Sequence, residues 1–547
     1  MKYNEYKQLN LTRIGEEVRR YWEENATFEK GQRLSEGHPS YVFYDGPPSA
    51  NGKPGIHHVM ARTIKDVFCR YKAQKGFYVD RKAGWDTHGL PVELGVEKNL
   101  GITKEDIGKK ISVDDYNKAC RTEVMKYKEL WDELTRQMGY WVDLENPYIT
   151  FDNSYIETLW FLLKKLYDKG LLYKGYTIQP YSPAAGTGLS SHELNMPGCY
   201  RDVKDTTCVA MFRIVSGESG FSGITGDMPT YAIAWTTTPW TLPSNTALCV
   251  GPNIDYVLIE TTHPYNETPC RILMAKALVG SMFPEGKSPE YKIVSECKGT
   301  ELEGLHYEPL IPWVKPTEVS DKGSFRIILG DYVTTEDGTG IVHIAPTFGA
   351  DDARVAKKAG IGDLLLFDRD GKQLPMVDKQ GRFAPIEDLD PEWVKDHVDV
   401  KEYGKYAGKF VKNAYDPTKT EKDMSLDVEL VIMLKEQGKL FKSEKHTHSY
   451  PHCWRTDKPV LYYPLDSWFI RTTALKDRMI ELNRTINWKP EATGTGRFGN
   501  WLENTQLEPD VKVRNTPEKM AKGEDEQLEA AVRELMKEVE AFHYWGK

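Results

Sequence analysis

Leu11, Ile14, Val18 and Trp22 recur at helical spacing along an otherwise charged stretch, which predicts an amphipathic helix followed by a linker over residues 1–40. The pattern then changes. "SYVFYDGPPSANG" holds a short β-rich run from Tyr41 to Tyr44 that ends in a Gly-Pro-Pro turn. Met60, Ile64, Val67, Phe68 and Tyr71 mark a second helix, and Gly76 stops it. "FYVDRKAGWD" follows as another short strand. Strand, Gly-rich loop, helix, strand is the opening of a doubly wound α/β sheet, in which ligands gather at the carboxyl ends of the strands. Asp45–His58 and Trp85–His88 should both lie there. A further helix around Glu157–Asp168 ends at Gly170, a residue type suited to the left-handed position after a helix.

Beyond about residue 200 the texture becomes β-rich, with "YAIAWTTTPWTLPSNTALCV", "DYVLIETT" and "FRIILGDYVTTEDGTGIVHIAPTFGADD" separated by frequent Gly and Pro. This predicts a second, β-dominated domain over residues 200–400, inserted into a first that spans 41–199 and resumes over 401–504. Helical periodicity returns near Leu426, and "HTHSYPHCWRTDKPVLYYPLDSWFI" brings back strand and loop character. Residues 505–547 differ again: Leu528, Val532, Leu535, Val539 and Phe542 step by 4, 3, 4 and 3 along a charged helix.

Composition narrows the function classes. The 547 residues are 40% hydrophobic and 28% charged, as in a soluble globular protein. No apolar run approaches the roughly 20 residues that span a bilayer. The charged N-terminus lacks the apolar stretch of a signal peptide, so a cytoplasmic protein is expected. Eight cysteines form no C-x-x-C pair, which argues against zinc and against a disulfide framework. A net charge of −9 argues against nucleic-acid binding through bulk positive potential, though not against a local basic groove.

The Gly-containing loop "PSANGKPGIHH" sits where a helix N-terminus would present backbone N–H groups and a positive dipole end to an anion. Asn51, Gly52 and Gly55 let the backbone approach a ligand closely, and His57 and His58 could bond phosphate oxygens and stabilise charge in nucleotidyl transfer. A histidine pair beside glycines also occurs at ordinary helix starts, so the loop alone does not decide. Its company does. "DGPPSANGKPGIHH", "RYKAQKGFYVDRKAGWDTHGLPVE" and "TIQPYSPAAGTGLSSHEL" resemble class I aminoacyl-tRNA synthetases. "GWDTHGLPVE" and "TTTPWTLPSN" resemble their isoleucine/valine/leucine group, and "HSYPHCWRTDKPVLYY" with "DSWFI" its isoleucyl branch. The resemblance runs from about Tyr6 to Asn504.

It implies a Rossmann-like α/β nucleotide-binding domain, incomplete here, with an inserted β-rich editing domain. It also implies ATP with Mg2+, isoleucine and tRNA(Ile) as substrates; the cysteine spacing and the short apolar runs add the expectation of no zinc in this chain and no membrane. The family's His-x-Gly-His loop falls on Gly55, Ile56, His57 and His58, with its first and third letters exchanged, as in a variant subgroup. His57 and His58 would then act on ATP, with Asn51 and Gly55 shaping the loop. Asp86 would pair with the isoleucine ammonium group, a contact strengthened by desolvation, and Pro47 would line the side-chain pocket.

An apolar pocket rejects valine in favour of isoleucine only weakly, because one methylene is worth about 1–3 kcal/mol; this pair is a standard illustration of why a second, hydrolytic site is needed. By resemblance, Thr236, Thr237, Thr238 and Asn245 would line that site. His343 would contact the terminal ribose or side chain, and Asp352 would hold the ammonium group. Hydroxyls, an amide and one carboxylate suit a water, an adenosine and a cation. Where the family has Gly-His-Gly, this chain has Thr347, Phe348 and Gly349, so one polar contact differs.

The resemblance stops after "GRFGNWLEN". The second half of the sheet, the anticodon-binding domain and the Lys-Met-Ser-Lys-Ser signature have no counterpart. "KMAKG" is a lookalike that would offer Lys519 and Lys522 to ATP phosphates, but it follows "VKVRNTPE" and opens an acidic helix. The expectation is the N-terminal portion of an isoleucyl enzyme joined to a divergent tail, either a monomer or paired with a second polypeptide that supplies the rest. Three functions remain open: an ATP-dependent ligase, a tRNA deacylase alone, and a non-enzymatic partner whose tail helix docks on another chain.

Overall fold

Asn10 starts the first helix as the periodicity predicts: its side chain accepts from the Arg13 N–H at 3.0 Å, and α1 runs Leu11–Glu24, followed by α2 (Thr27–Leu34). The computed structural model describes residues 8–215, 228–286, 288–316 and 323–504. Two compact units divide between Leu172 and Tyr173.

In the first unit, α3 (Ile56–Gln74) begins at Gly55 and stops at Lys75, with Gly76 at φ 86°. Then follow β1 (Lys82–Trp85), α4 (Leu90–Leu100), α5 (Val113–Val124), α6 (Lys128–Gln137), β2 (Asp143–Ile149) and α7 (Asn153–Asp168). β1 and β2 pair in parallel, as a doubly wound sheet requires. The run Tyr41–Tyr44 does not form the expected strand. Ser40 makes a single parallel bridge to Tyr78, and Tyr41 N–H donates to the Tyr78 carbonyl at 2.8 Å. Beyond that point no strand among the described residues pairs with it, and Val42 and Tyr44 are exposed.

The periodicity of α3 is right but its facing is reversed. Ile56, Met60, Ile64, Val67, Phe68 and Tyr71 are exposed, whereas Arg62 and Cys69 are buried. The inward side of α3 is held by cation–π and polar contacts: Arg62 lies 5.0 Å from the Trp131 ring and 5.9 Å from the Tyr140 ring, and bonds Thr135.

The second unit is built on a six-stranded sheet in the order Lys292–Lys298, Asp255–Thr262, Pro269–Ala275, Thr230–Thr236, Tyr200–Arg213 and Leu440–Pro451. A smaller sheet sets Ala247–Val250 between Arg326–Leu329 in parallel and Ile341–Ile344 antiparallel. The helices Ala350–Ala359 and Leu426–Glu436 pack beside these strands. One continuous apolar core includes Phe212, Ile233, Leu258, Leu273, Phe383, Leu430, Leu434 and Tyr463. It carries on past residue 400, so the 200–400 segment does not separate as a body of its own. Strand Leu440–Pro451 pairs along Tyr200–Arg213 and closes the segment at its root. No helix among the described residues is long and apolar enough to cross a membrane.

Candidate functional sites

The predicted nucleotide loop is held from two sides. On one side, α6 takes two loop carbonyls: Trp131 Nε1–H donates to Gly52 at 2.8 Å and Tyr127 N–H to Ala50 at 2.9 Å. On the other, Asp86 N–H donates to the Pro48 carbonyl at 3.0 Å, and Ser49 Oγ–H to the Asp86 carbonyl at 2.8 Å. Pro47, Asn51, Gly55, His57, His58 and Asp86 therefore belong to one small region at the carboxyl end of β1. Thr150 fixes the other edge, with its Oγ1 taking the Thr87 N–H at 2.9 Å and lying 3.1 Å from His88 Nδ1.

Within the loop, the Gly55 N–H donates to His58 Nδ1 at 2.9 Å. That bond leaves a neutral His58 with its proton on Nε2, ready to donate to an anion. Burial, then His57, then Arg62 lower the His58 pKa, so the ring is neutral near pH 7. The exchanged letters prove to be sterically linked. The exposed His57 ring packs against that of His58 with centres 3.7 Å apart and planes tilted by 44°, and a Cβ on residue 55 would lie 2.9 Å from His57 Cε1. The ring of residue 57 thus occupies space that a side chain at 55 would need. Asp86 is exposed, and its Oδ1 lies 3.5 Å from the His88 N–H. Lys519 and Lys522 fall outside the described residues.

The second constellation is almost wholly buried. Strand Thr230–Thr236 delivers Thr236, and a short 3-10 helix, Pro239–Ser244, follows Thr237 and Thr238. Thr236 Oγ1 accepts the Thr238 N–H at 3.1 Å, and Thr241 Oγ1–H donates to the Thr238 carbonyl at 2.8 Å. Thr241 Oγ1 lies 3.0 Å from His343 Nε2, on strand Ile341–Ile344. Because the Thr241 hydroxyl hydrogen is committed to Thr238, His343 is the donor from Nε2. Its Nδ1 is then a bare acceptor, and it has no partner among the described residues. Burial lowers the His343 pKa to about 4, so the ring is neutral.

Asp352 lies in the first turn of helix Ala350–Ala359, with Oδ2 accepting the Ala345 N–H at 2.9 Å and Oδ1 3.5 Å from Tyr332 Oη. Burial pushes its pKa up to about 7 against the pull of the Ala345 N–H. Gly349 permits this fold-back, since a Cβ there would lie 2.6 Å from the Asp352 carboxyl carbon. Asn245, expected to line the pocket, has its amide engaged elsewhere. It donates to the Ala247 carbonyl at 2.8 Å and accepts from Tyr307 Oη at 2.6 Å, bracing the strands from behind. Phe348, at the family's histidine position, turns into the core against Trp240, with ring centres 5.1 Å apart. Thr241, which contacts both Thr238 and His343, was not among the expected site residues, although it stands three residues after Thr238 in the same motif.

Residues 17–507 match the family model described as tRNA synthetases class I (I, L, M and V). The isoleucine–tRNA ligase of Porphyromonas gingivalis is 63% identical over 519 residues, covering 92% of this chain and 45% of the relative. That of Bacteroides fragilis is 62% identical over 516 residues, with 92% and 45% covered. The chain thus spans less than half the length of these curated relatives. Among solved structures, the GlLeuRS-CP1 crystal structure aligns over 44% of this chain and 100% of its own at 15% identity, with a TM-score of 0.28. The parallel strand pair with its loop at the carboxyl ends and the match over residues 17–507 lead to one conclusion: the chain belongs to the class I tRNA synthetases (I, L, M and V).

Proposed function

We propose that this chain carries two separate sites of an isoleucine–tRNA ligase. One is an isoleucine- and ATP-binding half-site at residues 47–58 and Asp86, within a catalytic portion comprising 41–199 and 401–504. The other is a hydrolytic editing pocket within 200–400 that removes valine from mischarged tRNA. The observation that carries this reading is the largely buried Thr236–Thr238–Thr241–His343 chain, which ends in an unpartnered acceptor, close in sequence to the half-buried carboxylate of Asp352. Nothing in core packing calls for such an arrangement, and leaving a buried acceptor unpaired costs about 1–3 kcal/mol. A ligand hydroxyl would repay it.

In activation, an isoleucine carboxylate oxygen attacks the α-phosphorus of ATP, forming the adenylate and releasing pyrophosphate. Asp86 holds the ammonium group, Pro47 borders the side chain, and His58 Nε2–H with the exposed His57 ring meets the phosphates of Mg2+-bound ATP. The α3 N-terminus adds its positive dipole end. In editing, water adds to the ester carbonyl of valyl-tRNA, the bond to the ribose oxygen breaks, and that oxygen takes up a proton. His343 Nδ1 accepts from a ribose hydroxyl, the threonine hydroxyls order the water and adenosine, and ionised Asp352 pairs with the valine ammonium group. The partners are then tRNA(Ile), isoleucine and ATP, and the setting is the cytoplasm.

A deacylase-only reading is favoured by one specific observation: α3 turns its apolar stripe outward, and the 41–44 run lacks a strand partner among the described residues. The nucleotide side therefore needs further polypeptide to be covered. Isoleucine-dependent pyrophosphate exchange and valyl-tRNA hydrolysis by the purified chain decide between the readings. Both activities support two working sites, and hydrolysis without exchange supports the deacylase. Neither activity sinks both readings.

A further inference from the structure

The short helix Pro239–Ser244 carries Thr241 and follows directly on Thr238, so its placement sets the hydroxyl geometry of the pocket. Its first N–H groups have no partner within the helix. One of them, Trp240 N–H, donates at 3.0 Å to Asp427 Oδ1, which is 187 positions away on helix Leu426–Glu436. Asp427 is 3% exposed and Trp240 is also 3% exposed, so this is a buried, long-range cap rather than a surface contact. Below it lies a charged cluster. Lys412 Nζ pairs with Asp205 Oδ2 at 2.7 Å, and His448 Nε2 lies 3.2 Å from the same oxygen. Lys412 also sits 4.8 Å from the Tyr450 ring centre.

We propose that Asp427 is a positioning residue for the hydrolytic pocket, acting through the Trp240 N–H to fix the turn that presents Thr238 and Thr241 to substrate. The inference rests on the editing reading above. Three features separate it from an ordinary helix-start aspartate. The carboxylate is spent across the fold on another element's backbone. That element carries Thr241 and follows directly on Thr238, and the nearby Lys412 supplies a cation that a buried carboxylate needs. Burial raises the Asp427 pKa to about 7, against the pull of Lys412 and with Asp205 pushing the same way; Lys445 pulls it down, and Cys208 and Tyr450 are the other titratable groups that feel it. Burial would likewise raise Asp205, but the His448 hydrogen bond and Lys412 hold it down to about 2, so Lys412 is shared between two carboxyl groups.

The test compares the full chain with Asp427→Ala and Asp427→Asn, since an asparagine Oδ1 can still accept from Trp240. Valyl-tRNA hydrolysis by Asp427→Ala should lose between about tenfold and a hundredfold in kcat with little change in KM, whereas Asp427→Asn should stay within about threefold of the parent. Backbone hydrogen exchange over residues 236–246 should quicken in Asp427→Ala alone. Equal losses in both variants, or losses tracking a matching fall in Tm, would overturn the proposal by making the residue a general stabiliser. Should the parent chain not hydrolyse valyl-tRNA, the editing reading falls, and the exchange comparison still judges the anchor: unchanged exchange in Asp427→Ala refutes it.

Discussion

The proposed nucleotide loop of the first unit and the proposed hydrolytic pocket of the second are built on opposite plans. The loop is the more local of the two: residues 47–58 and Asp86 lie within 40 positions of each other, clipped by backbone and side-chain hydrogen bonds with Tyr127 and Trp131 as outside supports, and much of the surface is open. The proposed pocket is assembled from segments around 236–245, 341–352 and 427, flanked by the large apolar core on one side and by a smaller cluster of Ala247, Ile344, Val355 and Ala356 on the other. An open site can bind large ligands but relies on further protein to exclude water. A buried site is already dry, so its charges and hydrogen bonds act in a low dielectric and shift strongly. The pKa shifts follow burial: it moves His343 down to about 4 and Asp352 up to about 7, and it is also the main cause that lowers His58.

The sharpest way to break this comparison is to remove one carboxylate from each site. Asp352→Ala should cut valyl-tRNA hydrolysis by about a hundredfold or more and spare pyrophosphate exchange, while Asp86→Ala should do the reverse. If either change lowers both activities together, the two sites are not separate. Acidity is the next lever. Asp352 must be ionised to hold an ammonium group, so kcat/KM for hydrolysis should fall by up to about tenfold per unit as pH drops below 7, and recover above it. A profile flat between pH 6 and 8 would remove Asp352 from ammonium binding.

A smaller effect is expected from Gly55→Ala. The new Cβ would displace the His57 ring, which is a movable side chain, so exchange should fall by about three- to tenfold with hydrolysis untouched. Unaltered exchange would mean that the His57 ring position does not matter for ATP. Trp131→Phe removes the bond to the Gly52 carbonyl, worth about 1 kcal/mol. Exchange should drop by a few fold and Tm by a few degrees; a larger fall in hydrolysis than in exchange would contradict the separation again. The last test is thermodynamic. Folded Asp352 keeps its proton between roughly pH 4 and 7, where the unfolded chain has lost it, so its cost to stability grows as pH rises through that window. Asp352→Asn should therefore raise Tm more at pH 8 than at pH 5.

Much of this organisation was legible in the sequence. Periodicity located α1, α3 and α7, and Gly76 and Gly170 marked the ends of the last two, because helix formation and termination are decided within a few residues. The motif residues of the proposed nucleotide loop were legible through the resemblance to class I synthetases rather than through periodicity. The facing of α3 was not: apolar spacing shows that a stripe exists but not what covers it, and Arg62 over Trp131 claimed the inner side. The 41–44 run was β-rich, yet a strand needs a neighbour, and only Ser40 finds one.

By itself, then, the sequence determined where α1, α3 and α7 lie, the loop that bonds to its own helix start, and the residue types of both proposed sites. Only the tertiary structure decided which of those residues can act. It spent the Asn245 amide on Tyr307 and a backbone carbonyl, turned Phe348 into the core, brought Thr241 to His343, and set Asp427 against Trp240. The reason is physical: local hydrogen bonding and torsional preference act between near neighbours, whereas burial and hydrogen bonds between distant segments exist only once the core has closed around them.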